Sequence, residues 1–379
     1  MSGIIRSFRV VASLLAFCLP FELAAQGREI VVGQVAPFSG PQAVTGRAIH
    51  AGVKLYVDHV NAQGGVHGMK IRLVTRDDAQ QAAQTVALAR ELIARESPVA
   101  LIGTVGTTNL EALIADGVLQ KSGVPLVGAV SGASSVIAGK NVFVIKASYR
   151  DEVNRLFANL AGLGIKRVGL VYQDDALGQD VIAGADAAAR RHGIELAARA
   201  GYPRNTVEVG EAVTAMVQAE PQVVLLGATT AAAIEFVRQY REHGGLAMLY
   251  GMSIIDTRQL LAKLGPDGAR GFAFSVVLPL ETQRTSAVNL EYLRLRDQSK
   301  DADLSARSIE GFIAAKALVH ALQSAAASGM PTPAAVVKNL QAMRKVDLGG
   351  FVLDFGQPGR SGSSYVDFAM LGDGGRVVQ

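Results

Sequence analysis

The sequence predicts an α/β fold in which a parallel sheet, covered by helices on both faces, is built twice in succession. Three observations predict it. Short apolar runs alternate with amphipathic helical segments from Glu29 onward, and several of the runs end in Gly, Ser and Thr. The chain has 379 residues, 49% apolar and 18% charged, more than one core usually supports and too apolar for disorder. Strands alternating with helices call for right-handed βαβ crossovers, which set neighbouring strands parallel and bury both faces.

The first unit opens on the strand EIVVGQVAP, residues 29–37. Ile49, Val53, Tyr56, Val57 and Val60 then share one helical face, and Gly64–Gly65 stop the helix. The strand KIRLVTRDD (70–78), a helix through ARELIARES (89–97), the strand VALIG (99–103), another helix and VPLVGAV (124–130) follow. The second unit begins after Tyr149. KRVGLVYQDD (166–175) reads as a strand and VIAGADAAARRHG (181–193) as its helix with a glycine stop. IELAARAGYP (194–203), PQVVLLGATT (221–230) and LAMLYGMS (246–253) add strands, separated by helices such as AAAIEFVRQYREHGG (231–245). The remainder is less regular: GFAFSVVLP (271–279), a helix around SARSIEGFIAAKALVHALQSAA (305–326), and the strand-rich tail GGFVLDFGQPGRSGSSYVDFAML (349–371). Without a low-complexity linker, the units are expected to form two closely coupled lobes.

Residues 1–25 read as a signal peptide. Arg6 and Arg9 precede the apolar run from Val10 to Pro20, which is too short for a permanent span, and Leu23, Ala24 and Ala25 offer small-residue cleavage chemistry. Bulky Phe17 before Cys18 disfavours lipidation, so the expected product is soluble, exported and periplasmic after cleavage near Ala25. Cys18 is the only cysteine, and its removal excludes disulfides and thiolate catalysis. The net charge of +4 is spread without a basic cluster, which argues against nucleic-acid partners.

Catalytic motifs fail on inspection. The Gly106-Thr107-Thr108 turn has no following Lys, so it is not a nucleotide loop. The first βα turn lacks the three-glycine dinucleotide fingerprint, and Ile255 replaces the closing glycine of a nucleophile elbow at Gly251-Met252-Ser253. No histidines stand at metal-ligand spacing, and His192 and His243 suit helix C-termini. Asp77–Asp78 and Asp174–Asp175 follow strands and precede helices, where carboxylates cap free N–H groups. No catalytic, metal or cofactor site is expected. What remains is the set of strand ends at Gly103–Thr108 and Gly128–Gly132. Ligands of open parallel sheets bind outside such ends. Helix N-termini there, with the hydroxyls of Thr107, Thr108 and Ser131, would make a cup for a carboxylate. The same residues also suit ordinary tight turns.

The ordered segments FSGPQAVTG (38–46), NAQGGVHGMK (61–70), TRDD (75–78), VGTTN (105–109), KASYRDE (146–152), VYQDDALGQD (171–180), RSIEGFIAAK (307–316) and RSGSSYVDF (360–368) carry a resemblance. Across the chain after its first 27 residues, they resemble the extracytoplasmic solute-binding proteins of ABC importers. The likeness is to the branched-chain-amino-acid (leucine/isoleucine/valine-binding) family, of periplasmic binding protein type I. The resemblance implies two Rossmann-like lobes with parallel central sheets, joined by a three-segment hinge with crossings near 147–149, 275–279 and 352–356. The N-terminal lobe would hold 28–147 and 278–353, and the C-terminal lobe 148–277 and 354–379.

It further implies a small-molecule ligand trapped by hinge closure, an ABC permease complex in the inner membrane as partner, and a monomer. The ligand's carboxylate would lie at Gly106–Thr107, with Thr108 beside it, and at Val130, Ser131 and Gly132. Tyr149 would contact ligand or pack in the hinge. On the other lobe, Thr229 and Ser253 would face the ligand. Ser253 stands where amino-acid binders place an acid for the ammonium group, and Leu177 and Thr229 stand where aromatic residues are common. A buried ammonium without a carboxylate is costly, so a carboxylate or small neutral-to-anionic compound fits better than an α-amino acid. Asp174 or Asp175 could replace the lost acid. The alternatives are a receptor presenting ligand to a membrane sensor, and an exported α/β enzyme, for which no nucleophile, base and orienter are found.

Overall fold

The computed structural model describes residues 29–280 and 283–379. The signal peptide expected at 1–25 lies outside the described residues. In the first lobe, β1 (Glu29–Ala36), β2 (Lys70–Asp77), β3 (Ala100–Ile102), β4 (Leu126–Val127) and β5 (Val142–Phe143) form a sheet of order β2-β1-β3-β4-β5. Every neighbour pair is parallel, and β1 runs in register with β2 from Glu29 opposite Lys70 to Ala36 opposite Asp77. The crossovers are α1 (Ala43–Ala62), α2 (Ala82–Glu96), α3 (Thr107–Asp116) with the short α4 (Val118–Ser122), and α5 (Ser134–Ile137). Along α1, Ile49, Val53, Val57 and Val60 are buried, as the spacing of these residues requires, and half-buried Tyr56 packs edge-on to Phe312 at 5.0 Å.

The chain then enters the second lobe through α6 (Tyr149–Gly162). Ser148 caps it: its hydroxyl accepts from Asp151 N at 3.0 Å, while Ser148 N donates back to Asp151 Oδ2 at 3.2 Å. β6 (Arg167–Asp174), α7 (Ala176–His192), β7 (Glu195–Pro203), α8 (Gly210–Ala219), β8 (Val223–Gly227), α9 (Thr230–Glu242), β9 (Met248–Gly251), α10 (Thr257–Ala269) and β10 (Ala273–Val276) complete a second parallel run. The irregular part of the sequence proves ordered. It supplies α11 (Ala287–Gln298), α12 (Ser308–Ala325) and α13 (Pro333–Ala342), then the hairpin β11 (Val346–Asp347) and β12 (Val352–Leu353), all after the chain has returned to the first lobe. Two last strands, β13 (Asp367–Leu371) and β14 (Val377–Val378), extend the second sheet to the order β14-β13-β10-β9-β8-β6-β7. β13 is antiparallel to β10 and β14 to β13, while the rest of this sheet is parallel.

Two cores follow. One packs Ile30, Val32 and Val53 against Val288, Tyr292, Phe312 and Leu318, so the late helices belong to the first lobe. Its tightest seam is between α1 and α12, where a Cβ on Gly52 would lie 1.8 Å from Ser308 O and one on Gly311 2.0 Å from Ile49 O. The other runs from Leu101 and Leu110 through Tyr149, Val153 and Phe157 to Leu170 and Val181, joining the lobes along α6.

Candidate functional site

β3 ends at Ile102, and the chain turns sharply before α3 begins. Gly106, the residue before α3, has φ +100°, and a Cβ there would lie 2.1 Å from Gln80 Nε2. Only glycine meets both demands. No side chain caps α3, so its leading N–H groups face the space between the lobes without a protein side-chain acceptor. Thr107 Oγ1 and Ser131 Oγ share a hydrogen bond of 2.9 Å, and Ser131 Oγ accepts from Ala133 N at 3.1 Å. Tyr149 lies beneath: its N–H donates to Gly132 O at 2.8 Å, and a Cβ on Gly132 would meet the ring at 2.8 Å. Burial pushes the Tyr149 phenol up to about 12.

The opposite wall comes from the second lobe. Asp175 caps α7, its Oδ1 accepting from Leu177 N at 3.0 Å and Gly178 N at 3.4 Å. Its Oδ2 accepts from Gln173 Nε2 at 2.7 Å and, across the gap, from Thr108 Oγ1 at 3.1 Å. Arg204, just after β7, sets its Nε 3.2 Å from the same oxygen. Arg204 Nη2 also crosses to the first lobe, donating to Asn109 Oδ1 at 2.7 Å and Gln80 O at 3.1 Å. Between these walls lies a cavity of about 50 Å³.

Gly106, Thr107, Val130, Tyr149 and Thr229 line this cavity, together with Leu177 and Asp175. Thr108 is turned to Asp175, Ser131 stands behind Thr107, and Gly132 packs on Tyr149. Asp174 is exposed at the end of β6. Ser253 is elsewhere. Its N–H and hydroxyl donate to Glu152 at 2.9 and 2.8 Å, and it lines a larger opening of about 940 Å³ along α10 and β10. Arg307 stands between the two spaces. Its Nη1 donates to Ser253 O at 2.5 Å and its Nη2 meets Glu310 at 2.5 Å, while Lys146 Nζ lies 3.0 Å from the other Glu310 oxygen. Burial works against the Glu310 carboxylate, but Arg307 and Lys146 together hold it below its ordinary value. Burial raises Glu152, against hydrogen bonds from Ser275 and Ser253.

Sequence reasoning passed over Gln80, Arg204 and Arg307, all on the cavity wall. Gln80 sits just past the DD strand end, the place to look for a βα-turn contact. Arg204 and Arg307 reach the cavity only through the fold.

The profile of the periplasmic binding protein family matches residues 29–376. In structure, the chain is similar to a substrate-binding periplasmic protein from Ralstonia solanacearum, with 44% identity and a TM-score of 0.89, covering 93% of this chain and all of that one (100%). In sequence, it is 30% identical over 245 residues to Leu/Ile/Val-binding protein homolog 7 of Brucella suis, 62% of this chain and 59% of that relative's length. Leu/Ile/Val-binding protein homolog 8 of Brucella abortus is 24% identical over 344 residues, 87% of this chain and 85% of that relative. The fold and the site between two lobes thus define a binding protein of the type I periplasmic architecture. The chain belongs to the periplasmic binding protein family.

Proposed function

We propose that this protein is the exported, non-catalytic solute-binding component of an ABC importer, and that it captures a small carboxylate-bearing ligand in the cavity between its lobes. The lobes are 28–147 with 278–353, and 148–277 with 354–379, closing about the crossings near 147–149, 275–279 and 352–356. The ligand carboxylate sits at the leading N–H groups of α3 and the Thr107 hydroxyl, with Val130, Ser131 and Gly132 as the supporting turn. The loaded monomer is read by a permease complex in the inner membrane.

One observation carries the choice of carboxylate over amino acid. Asp175 is the acid on the cavity wall among the described residues, and Leu177, Gly178, Gln173, Thr108 and Arg204 already occupy both its oxygens. An ammonium group would find no carboxylate left to pair with, whereas two arginines, Arg204 and Arg307, line the same space. A thermal-shift screen against aliphatic and aromatic carboxylates, amides, sugars and amino acids tests this. A ligand at a hundredfold its dissociation constant adds about 2.7 kcal/mol, a shift of several degrees. Stabilisation by carboxylates and not by leucine or valine is the expected result. Stabilisation by branched-chain amino acids alone would sink the carboxylate reading.

A further inference from the structure

Gln80 is held in place more firmly than a turn residue needs. Its backbone has φ +62°, the left-handed region that side-chain-bearing residues seldom adopt, and its N–H is tied to Asp78 Oδ1 at 2.9 Å. The side chain is 4% exposed and lies against Gly106, at the head of α3.

A relay of hydrogen bonds fixes which way its amide faces. Arg204 has donors only, so Asn109 must present its oxygen to Nη2 at 2.7 Å. Gln80 meets that same oxygen at 3.2 Å and must therefore present its NH₂. The other end of the relay gives the same assignment. The Thr85 hydroxyl donates to Asp78 Oδ2 at 2.7 Å, so it accepts from Asn109 Nδ2 at 2.8 Å. Gln80 lines the cavity, and its Oε1 is left as a buried acceptor with no partner among the described residues. Arg307 leaves the complementary deficit. Its two Nη groups are engaged by Ser253 O and Glu310, and its Nε is a buried donor with no partner among the described residues.

Buried polar groups are almost always satisfied, and exceptions cluster where a ligand completes the set. A plain carboxylate, all acceptor, can serve α3, Thr107 and Arg307 but not Gln80. We propose that Gln80 Oε1 and Arg307 Nε are the specificity groups of the cavity, and that its ligand is a short carboxylate bearing a hydroxyl or a primary amide. This rests on the carboxylate reading above. The hydroxyl or amide both gives a hydrogen to Gln80 and takes one from Arg307. The cavity of about 50 Å³ favours a chain of few atoms.

Calorimetric titration of the protein with propanoate, malonate, lactate and malonamate separates the possibilities. Lactate or malonamate is expected to bind at least ~10-fold tighter than both propanoate and malonate, because a polar site left unmatched rejects the ligand lacking the group. In a Gln80→Met variant that keeps its circular dichroism, that ratio is expected to fall below about threefold. Equal binding of all four acids by the unaltered protein overturns the inference and leaves the carboxylate reading intact. A ratio that survives in Gln80→Met overturns the role of Gln80. Binding of none of the four overturns the carboxylate reading and this inference with it.

Discussion

The contacts gathered at Asp175 cross from one lobe to the other, whereas the charges gathered at Glu310 pair within the first lobe and reach the second through Arg307 and the Ser253 carbonyl. Arg204 is 24% exposed, and its partners Thr108-bound Asp175, Asn109 and Gln80 are divided between the lobes. Water can replace each of these contacts, so they contribute little net energy. Lys146, Glu310 and Arg307 are 0%, 2% and 7% exposed. There each charge depends on the others, because no water can substitute for a lost partner. Under the proposed closure, the exchangeable charges lie at the cavity and the permanent ones beside the crossings.

The largest effect should come from Glu310→Gln, which strands Lys146 and Arg307 in the interior. A loss of about 3–5 kcal/mol in denaturant unfolding is expected. A loss below ~1 kcal/mol would place this cluster in the same energetic class as the Asp175 contacts and dissolve the contrast. Next is Thr107→Ala, where calorimetry should find carboxylate binding weaker by about 1–3 kcal/mol, the cost of losing a charge-assisted hydrogen bond. Unchanged affinity removes Thr107 from the site.

Asp175→Asn should alter stability by no more than about 1 kcal/mol. It should, however, enlarge the radius of gyration of the unliganded protein in small-angle scattering, because the pull on Arg204 is gone. An unchanged radius would mean that these contacts do not hold the lobes together. The smallest effect concerns pH. Burial raises Glu152 above its ordinary 4.5, so the folded protein holds this proton more tightly than the unfolded chain. Its contribution is complete below 4.5 and is lost as pH rises through the folded value. Glu152→Gln should flatten that part of the stability profile, and an unaltered slope there would show that Glu152 is not the group responsible.

The βα alternation was legible because central parallel strands such as VVLLG of β8 are continuous apolar runs and helices such as α7 end at turn signals such as Gly193. The turn on which the carboxylate proposal rests was legible for a local reason too: VGTTN joins strand, turn and helix within a few residues. The antiparallel attachment of β13 to β10 was not, because an apolar strand reads the same in either direction. α11 and α13 were missed although Ser286 and Thr332 cap their starts and Pro333 opens α13. Ser253 was placed opposite the ligand by resemblance, yet its hydroxyl is turned to Glu152, a partner 101 residues away. Arg204 meets Asn109 across 95 residues, a distance at which no local pattern carries information. Sequence shows what one element prepares, and only the fold shows which elements meet.

The glycine seam between α1 and α12 governs when the first lobe can exist. α1 is made early and buries its face only against a helix near the far end of the chain; Arg47 at its head bonds Asp303, 256 residues away. The strands β6 to β10, by contrast, are contiguous in the chain and can assemble as they emerge. The first lobe therefore waits for α12, and until that helix is made the face of α1 that it covers stays open, while β13 and β14 complete the second sheet later still.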